Sequence, residues 1–251
     1  KFLAPEKADF RLHSDSPAIA LGFKPIDTSQ IGLYGDPAWV AKPKQISREP
    51  FSPPSPPEPL RVSEDFEALE PNAQWPDAHT LGESGAATIR VSAETAASGR
   101  HSLKFVDIAG LVPSFNPHLY LASALRHSTA RASFALRVES GGPFYHEWRD
   151  SSSPYRVGPS LWFHADGRVE SNGRAVGRIP LQTWVHVDVT CLLGNEATGE
   201  FQLRLQAPGE EAQEHTLACG SPDFNRLDWF GFVATADAEG VMYLDDVNLG
   251  T

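Results

Sequence analysis

Two short segments of the sequence place a tryptophan two positions before a histidine. They read Leu161-Trp-Phe-His164 and Trp184-Val-His186, and apolar and polar residues alternate in both. Because side chains of a β-strand point alternately to its two faces, each tryptophan shares a face with its histidine. Sugar rings present apolar C–H faces and a rim of hydroxyl groups, which suit a flat indole beside polar side chains. These segments therefore indicate candidate sugar-binding surfaces.

A third segment, Phe144-Tyr-His-Glu-Trp-Arg-Asp150, is rich in the same residue types. Its arginine and carboxylates can hydrogen-bond hydroxyl or acidic groups, and loops rich in glycine, serine and proline flank it. We expect the sugar ligand to contact aromatic and charged side chains of the three segments. The predicted ligand-binding residues are Tyr145, Glu147, Trp148, Arg149, Trp162, His164 and Asp188.

Packing is the alternative interpretation for several tryptophans. Trp184 opens a Trp-x-Val-x-Val strand, a position where tryptophan usually packs beneath a neighbouring loop. Trp229 lies in an apolar strand and is expected in the core. Trp75, in Gln-Trp-Pro-Asp, can form a second platform or a plug at the edge of the fold.

Catalysis is the rival class of function. Glycoside hydrolysis needs two carboxylates about 5–10 Å apart, and the Glu-x-x-Glu spacing from Glu64 to Glu67 lies beside a proline-rich stretch. β-Elimination needs a Tyr or His base and an Arg that neutralises a uronate. Tyr145, His146, Arg149 and Tyr155 supply these residue types. Signature motifs of serine hydrolases, P-loop proteins, zinc peptidases and Rossmann proteins are absent.

Residues 61–251 have the pattern of an all-β protein. Alternating segments such as Ile89–Ser92, Ala132–Val138 and Phe201–Leu205 are separated at short intervals by turn sequences, among them Asn172-Gly173. No long helical pattern separates them. The sequence therefore predicts an antiparallel β-sandwich, of the concanavalin A-like or jelly-roll type.

The same region resembles two related groups of sandwich domains. The stretches Gly158–Gly167 and Ile179–Val189 are similar to concanavalin A-like and laminin G-like sandwiches. The opening Ser63–Glu67, the stretch Ser98–Lys104 and the ending Val241–Leu249 resemble β-sandwich carbohydrate-binding modules. These resemblances imply the architecture more than the activity, since lectins, binding modules, glucanases and lyases share it.

The resemblance to carbohydrate-binding modules also implies a structural calcium ion. In those modules the first and last strands lie side by side, and their acidic residues often hold calcium, which takes six to eight oxygen ligands. The corresponding candidate ligands here are Asp65, Glu67, Asp245 and Asp246. The alternative is that these acids face water at the strand ends.

Residues 1–45 precede a proline-rich stretch, with five prolines between Phe51 and Pro59, that predicts an extended linker over 46–60. The segments Asp9–Leu12, Ser14–Ala18, Leu21–Asp27 and Ile31–Leu33 resemble the last turn of secreted right-handed parallel β-helix proteins, mostly polysaccharide lyases and glycoside hydrolases. The resemblance implies a β-helix exit segment, a β-helix catalytic region as partner and an extracellular location.

The composition excludes some partners. A formal net charge of −11 repels nucleic acid and anionic membranes, and no 18-residue apolar run occurs. Cys191 and Cys219 are expected to be buried thiols or a disulfide. We therefore interpret the chain as part of a secreted protein whose sandwich is a non-catalytic carbohydrate-binding module. A lyase or glycosidase component and a purely structural domain are the alternatives.

Overall fold

The computed structural model describes residues 1–7, 9–27, 31–47, 52–53, 55, 57–235 and 237–251. The chain divides into two compact units, Lys1–Ser55 and Pro56–Thr251. Within the described ranges, no helix is long and apolar enough to cross a membrane.

The first unit contains a strand pair and two helices. Strand β1 (Phe2–Ala4) pairs antiparallel with β2 (Asp9–Leu12), and helices α1 (Pro17–Ala20) and α2 (Pro37–Gln45) follow. Asp36 caps α2 by accepting the N–H of Ala38 at 2.7 Å, and Pro37 suits the first helical turn. The described residues of this unit contain no parallel strand pair. The β-helix exit segment therefore stays a prediction without structural support.

The second unit is built of strands. They are β3 (Val62–Glu64), β4 (His79–Leu81), β5 (Thr88–Ser92), β6 (Ser102–Asp107), β7 (His118–Leu125), β8 (Ser128–Ser140), β9 (Phe144–Arg149), β10 (Val157–Phe163), β11 (Arg168–Ser171), β12 (Arg174–Arg178), β13 (Val185–Leu193), β14 (Glu200–Gln206), β15 (Gln213–Ala218), β16 (Leu227–Ala234) and β17 (Gly240–Gly250).

These strands form two antiparallel sheets that pack as a sandwich. One is seven-stranded, in the order β12-β11-β10-β9-β16-β7-β4. The other is eight-stranded, in the order β15-β14-β13-β8-β17-β6-β5, and β3 also pairs with β17. The predicted all-β antiparallel sandwich is confirmed, and the first and last strands of the unit are neighbours, as the resemblance to carbohydrate-binding modules implies.

The core lies between the two sheets. Phe134 of β8 contacts His146 of β9 and Phe232 of β16, with ring centroids 4.9 and 5.1 Å apart. Burying one such phenylalanine contributes about 1.5–3 kcal/mol to folding. Strand β13 shows the underlying pattern most clearly, because every second residue from Val185 to Leu193 is buried. Each sheet consequently has one face in the core and one outer face.

Candidate functional site

The outer face of the seven-stranded sheet brings polar and aromatic side chains together from strands far apart in the sequence. One cross-strand row runs through Ser160, Glu147, Gly231, Tyr120 and His79, from β10 to β4. The row shares one face because directly opposed residues of antiparallel strands point to the same side. Residues that are far apart in the sequence therefore form one continuous surface.

Five side chains form a continuous stack across this face, which we call the outer-face stack: His79, Tyr120, Trp229, Arg149 and Tyr155. The ring centroids of His79 and Tyr120 are 4.7 Å apart, and those of Tyr120 and Trp229 are 5.6 Å apart. The Arg149 guanidinium carbon lies 4.2 Å from the centroid of Trp229 and 4.6 Å from that of Tyr155. The stack therefore holds a cation between two aromatic rings.

Gly231 allows Trp229 to lie flat in the stack. A Cβ atom at position 231 would approach the indole of Trp229 to 1.9 Å, far inside van der Waals contact. The ring thus lies directly over the backbone of its own strand, between Tyr120 and Arg149. Only glycine leaves that space free.

Arg149 is oriented by a buried carboxylate. Its Nε donates to Oε1 of Glu147 at 2.5 Å, and the hydroxyl of Ser160 donates to Oε2 of the same carboxylate at 2.9 Å. The side chain of Glu147 is 11% exposed and that of Arg149 is 22% exposed. Because Glu147 occupies Nε, a ligand has to approach the guanidinium through its Nη groups. The side chain of Tyr145 also hydrogen-bonds Arg149.

A second aromatic pair stands beside the stack. Tyr145 and Trp162 are opposed across β9 and β10, with ring centroids 4.5 Å apart and planes inclined by 17°. Glu170 of β11 opposes Trp162 on its other side, and Nε2 of His164 lies 3.1 Å from Oε2 of Glu170. Trp162 is half-buried, so part of its indole faces solvent.

The loop that carries Tyr155 is fixed by a buried aspartate. Oδ1 of Asp150 accepts the N–H and hydroxyl of Ser152 and the N–H of Arg156, at 3.1, 2.6 and 2.7 Å. Burial alone would raise the pKa of Asp150, but these hydrogen bonds outweigh burial and hold the pKa at about 2. Asp150 thus stays ionised and keeps Tyr155 next to Arg149.

Burial also shifts the pKa of two titratable side chains near the stack. It lowers the pKa of His118, and the nearby charge of Arg149 acts in the same direction. Burial raises the pKa of Tyr145, against the opposing effect of Arg149. His118 is therefore a neutral imidazole and Tyr145 a neutral phenol at pH 7.

Two of the predicted ligand-binding residues lie elsewhere. Trp148 is fully buried and its indole N–H donates to Nε2 of His146 at 2.8 Å. The alternation that directs Arg149 outward directs Trp148 and His146 into the core. The prediction of Trp148 as a ligand platform was therefore wrong, and His146, one of the residue types named for β-elimination, is not accessible to a ligand. Asp188 lies on β13 in the other sheet. The remaining predicted residues, Tyr145, Glu147, Arg149, Trp162 and His164, lie together.

Sequence analysis missed His79, His118 and Tyr120 and assigned Trp229 to the core. Trp229 is half-buried on the outer face, whereas its neighbours Phe230 and Phe232 are buried. The strand is apolar on both faces, so periodicity alone could not identify its outward side. The alternation around His118 and Tyr120 is the local signal that indicates their outward side.

The acids of the expected calcium site bind backbone amides. Oε1 of Glu67 accepts two N–H groups of the loop between β5 and β6, both at 2.6 Å. Oδ2 of the fully buried Asp245 accepts two further backbone N–H groups of the same loop, at 2.7 and 3.2 Å. These carboxylates therefore anchor that loop to the segment that follows β3 and to β17.

The other two candidate calcium ligands also accept hydrogen bonds from the protein. Oδ1 of Asp65 accepts the N–H of Glu67, and Oδ1 of Asp246 accepts the hydroxyl of Ser98. Throughout the part of the chain that the structure describes, no three His, Cys, Asp or Glu side chains are arranged to hold a metal ion. The geometry therefore does not fit a carboxylate-rich site, and calcium stays a prediction.

No protein-family model and no curated protein sequence matches the chain. Solved structures do share its fold. The endo-β-1,4-glucuronan lyase of the fungus Trichoderma reesei is similar at a TM-score of 0.55 and 11% identity, over 76% of this chain and 96% of the lyase. Cellulose induced protein Cip1 is similar at a TM-score of 0.50 and 14% identity, over 75% of this chain and 96% of Cip1. At such identities the likeness establishes the β-sandwich fold alone.

Proposed function

We propose that this chain binds polysaccharide across the outer face of the seven-stranded sheet, as a non-catalytic carbohydrate-binding unit. The observation that carries the proposal is the outer-face stack, in which Arg149 lies between Trp229 and Tyr155 and is held at Nε by Glu147. Aromatic rings beside an oriented guanidinium match the apolar faces and polar rims of sugar rings.

The same arrangement supports a ligand with an acidic group. The Nη groups of Arg149 can pair with a carboxylate in a bidentate manner, and the flanking rings reduce competition from water. Trp162, next to Tyr145, supplies a partly exposed indole for an adjacent sugar. We therefore expect uronic-acid polymers to bind better than neutral ones at this face.

Affinity electrophoresis tests this proposal. Gels containing glucuronan, alginate or pectate should retard the chain, and Arg149→Ala or Trp162→Ala should weaken binding by at least about tenfold, or 1.4 kcal/mol. Arg137→Ala is the matched control, because Arg137 also pairs with a carboxylate two residues away, Glu139, on the other sheet. Unchanged retardation of both Arg149→Ala and Trp162→Ala would contradict the proposal.

A second candidate is β-elimination of a uronate polymer at the same face. His118 and Tyr145 lie in one cross-strand row on either side of Val233, near Arg149. A neutral imidazole can remove the proton next to the uronate carboxylate while Arg149 neutralises that group. The C–O bond to the leaving sugar then breaks, the neutral phenol of Tyr145 gives its proton to that oxygen, and a double bond forms in the remaining ring.

The two candidates are separated by product formation. A lyase would generate an ultraviolet-absorbing unsaturated sugar from a uronate polymer, and His118→Ala would abolish this while leaving retardation intact. If no product forms and retardation occurs, the face binds without catalysis. Attachment to a β-helix catalytic region and secretion belong to the same proposal and rest on the sequence resemblance.

A further inference from the structure

We infer a second ligand pocket, on the outer face of the eight-stranded sheet, that takes an uncharged sugar ring. The pocket is a depression of about 430 Å³, with Trp184, His186, Gln206, Pro208 and Asp246 among its lining residues. We call it the β13 pocket. It lies on the opposite sheet from the outer-face stack, so it does not depend on the function proposed for that stack.

The depression follows from the strand register. His186 of β13 is opposed by Gln206 of β14 on one side and by Ala135 of β8 on the other, and Ala135 is opposed by Asp245 of β17. Ala135 has the only small side chain in this row, so the face is lowest there. The volume suits a small ligand, since ligand pockets typically measure about 300–1,000 Å³.

The walls of the pocket are fixed by contacts outside it. The indole N–H of Trp184 donates to the hydroxyl of Thr95 at 3.2 Å, and its ring lies 6.3 Å from that of Tyr243. Two N–H groups of the loop after Thr95 bind the buried carboxylate of Asp245. The aromatic wall and the loop beside it are therefore held in place before any ligand arrives.

A chain of hydrogen-bonded side chains orients the polar residues that line the pocket. Oδ1 of Asp188 lies 3.2 Å from Nε2 of His186, and its Oδ2 lies 3.4 Å from Nη1 of Arg204. Nη2 of Arg204 donates to Oε1 of Gln206 at 2.8 Å. Because Asp188 occupies Nε2, the Nδ1 atom of the half-exposed His186 is the ring nitrogen that a ligand can reach.

The charge of the lining selects the chemical class of the ligand. The lining residues include the carboxylate of Asp246 but neither lysine nor arginine. An anionic sugar would therefore meet a like charge, and Arg204 behind the wall is already paired with Asp188 and Gln206. An indole wall beside a histidine and a carboxylate suits the apolar face and hydroxyl groups of an uncharged ring.

The test is a titration of the full chain, labelled with ¹⁵N, using cellotriose, xylotriose and mannotriose as uncharged probes. We expect the indole N–H signal of Trp184 to shift with at least one of them. Ala135→Leu, which fills the floor, and His186→Ala should each weaken this binding by about tenfold or more. The matched controls are Ala135→Ser and Thr190→Ala, which should both bind as the wild type does. Thr190 lies on the same strand and face as His186 but outside the pocket.

Arg149→Ala separates the two surfaces, because it should leave the Trp184 response unchanged. Circular dichroism of every variant checks that the fold is intact. The inference is overturned if none of the three probes shifts the Trp184 signal, or if the Arg149→Ala variant loses the response while folded Ala135→Leu and His186→Ala variants keep it. Neither result bears on the proposal for the outer-face stack, which affinity electrophoresis tests separately.

Discussion

At the scale of single residues, the outer-face stack depends on groups that cannot be exchanged for similar ones. Arg149 is a planar cation that contacts a ring on each side and a carboxylate at Nε. Lysine carries the same charge, but its ammonium is compact and cannot stack in this way. The site is therefore specified by shape as well as by charge.

We expect Gly231→Ala to disrupt the stack. The added Cβ would meet the Trp229 indole at 1.9 Å, so the ring must move away from Arg149 and Tyr120. We expect a loss of about 1–3 kcal/mol in the free energy of unfolding, as for other overpacked sites, and weaker retardation by uronate polymers. Gly250→Ala, where no atom lies within 4 Å of the new Cβ, is the control for urea unfolding and electrophoresis. Equal behaviour of the two variants would contradict this account of Trp229.

Asp245 gives a pH-dependent prediction. Burial raises its pKa to about 6, although three backbone N–H groups favour the charged form. A carboxyl with a raised folded pKa is most stabilising when protonated, so its contribution to stability falls as pH rises from about 4 to 6. Asp245→Asn should remove this fall, measured by urea unfolding at several pH values.

Chelation checks the calcium prediction at the same residues. A bound cation would favour the Asp245 carboxylate and stabilise the folded state by mass action. Calcium would then raise the thermal midpoint of the wild type at pH 7, and a chelator would reverse the rise. A midpoint that does not respond to either reagent would leave Glu67, Asp245 and Asp246 as anchors of the β5–β6 loop only, and Asp65 as the acceptor of the Glu67 N–H.

At the scale of elements, strand β9 serves the core and the site at once. Its outward residues form the site, while Phe144, His146 and Trp148 pack between the sheets. His146 is neutral and fully bonded, since Nδ1 donates to the carbonyl of Gly231 at 2.9 Å and Nε2 accepts the indole N–H of Trp148. The core therefore fixes one tautomer of this histidine.

Burial makes His146 a source of acid instability, because it lowers the pKa of the imidazole to about 3. A histidine with a depressed folded pKa stabilises the fold above its unfolded pKa of about 6.5, and the stability falls by up to about 1.4 kcal/mol per pH unit below that. His146→Phe should lose about 1–3 kcal/mol at pH 7, because the Trp148 N–H loses its acceptor, yet its stability should fall less on acidification. A slope equal to that of the wild type between pH 7 and 4 would contradict this role.

At the scale of the whole molecule, the two units differ in how much apolar surface they bury. The buried core cluster lies entirely between Phe66 and Leu249. In the first unit, large apolar side chains such as Leu21, Ile26 and Tyr34 are exposed. A segment of this size is at best marginally stable when so many of its apolar side chains are exposed.

A chain of residues 57–251 should therefore unfold cooperatively and with the midpoint of the second unit in the full chain. Its retardation by uronate polymers should also match that of the full chain, because every residue of the outer-face stack lies within it. Scanning calorimetry and affinity electrophoresis check the two expectations. A truncated chain that is unfolded, or that has lost binding, would show that the second unit needs the first.

Local patterns were enough to predict the sandwich and part of the site. The period-two alternation and closely spaced turns identified antiparallel strands, because both depend only on neighbours in the chain. The alternation of Phe144–Asp150 already places Arg149 and Trp148 on opposite faces, so the two side chains cannot both contact a ligand on one face. Trp229 could not be assigned, because its strand is apolar on both faces and its outward side depends on Gly231 and on the register with β7 and β9.

The class of fold and the faces that single strands can present could be predicted from the amino-acid order, since both follow from side-chain periodicity. Which outward faces meet depends on strand pairing in the folded chain: β4, β7, β9 and β16 join His79, Tyr120, Arg149 and Trp229 on one sheet, while Asp188 lies on the other. Strand order and register arise from long-range pairing, which brings residues that are distant in the sequence within contact distance. The periodicity of a single strand does not indicate which other strands it will pair with.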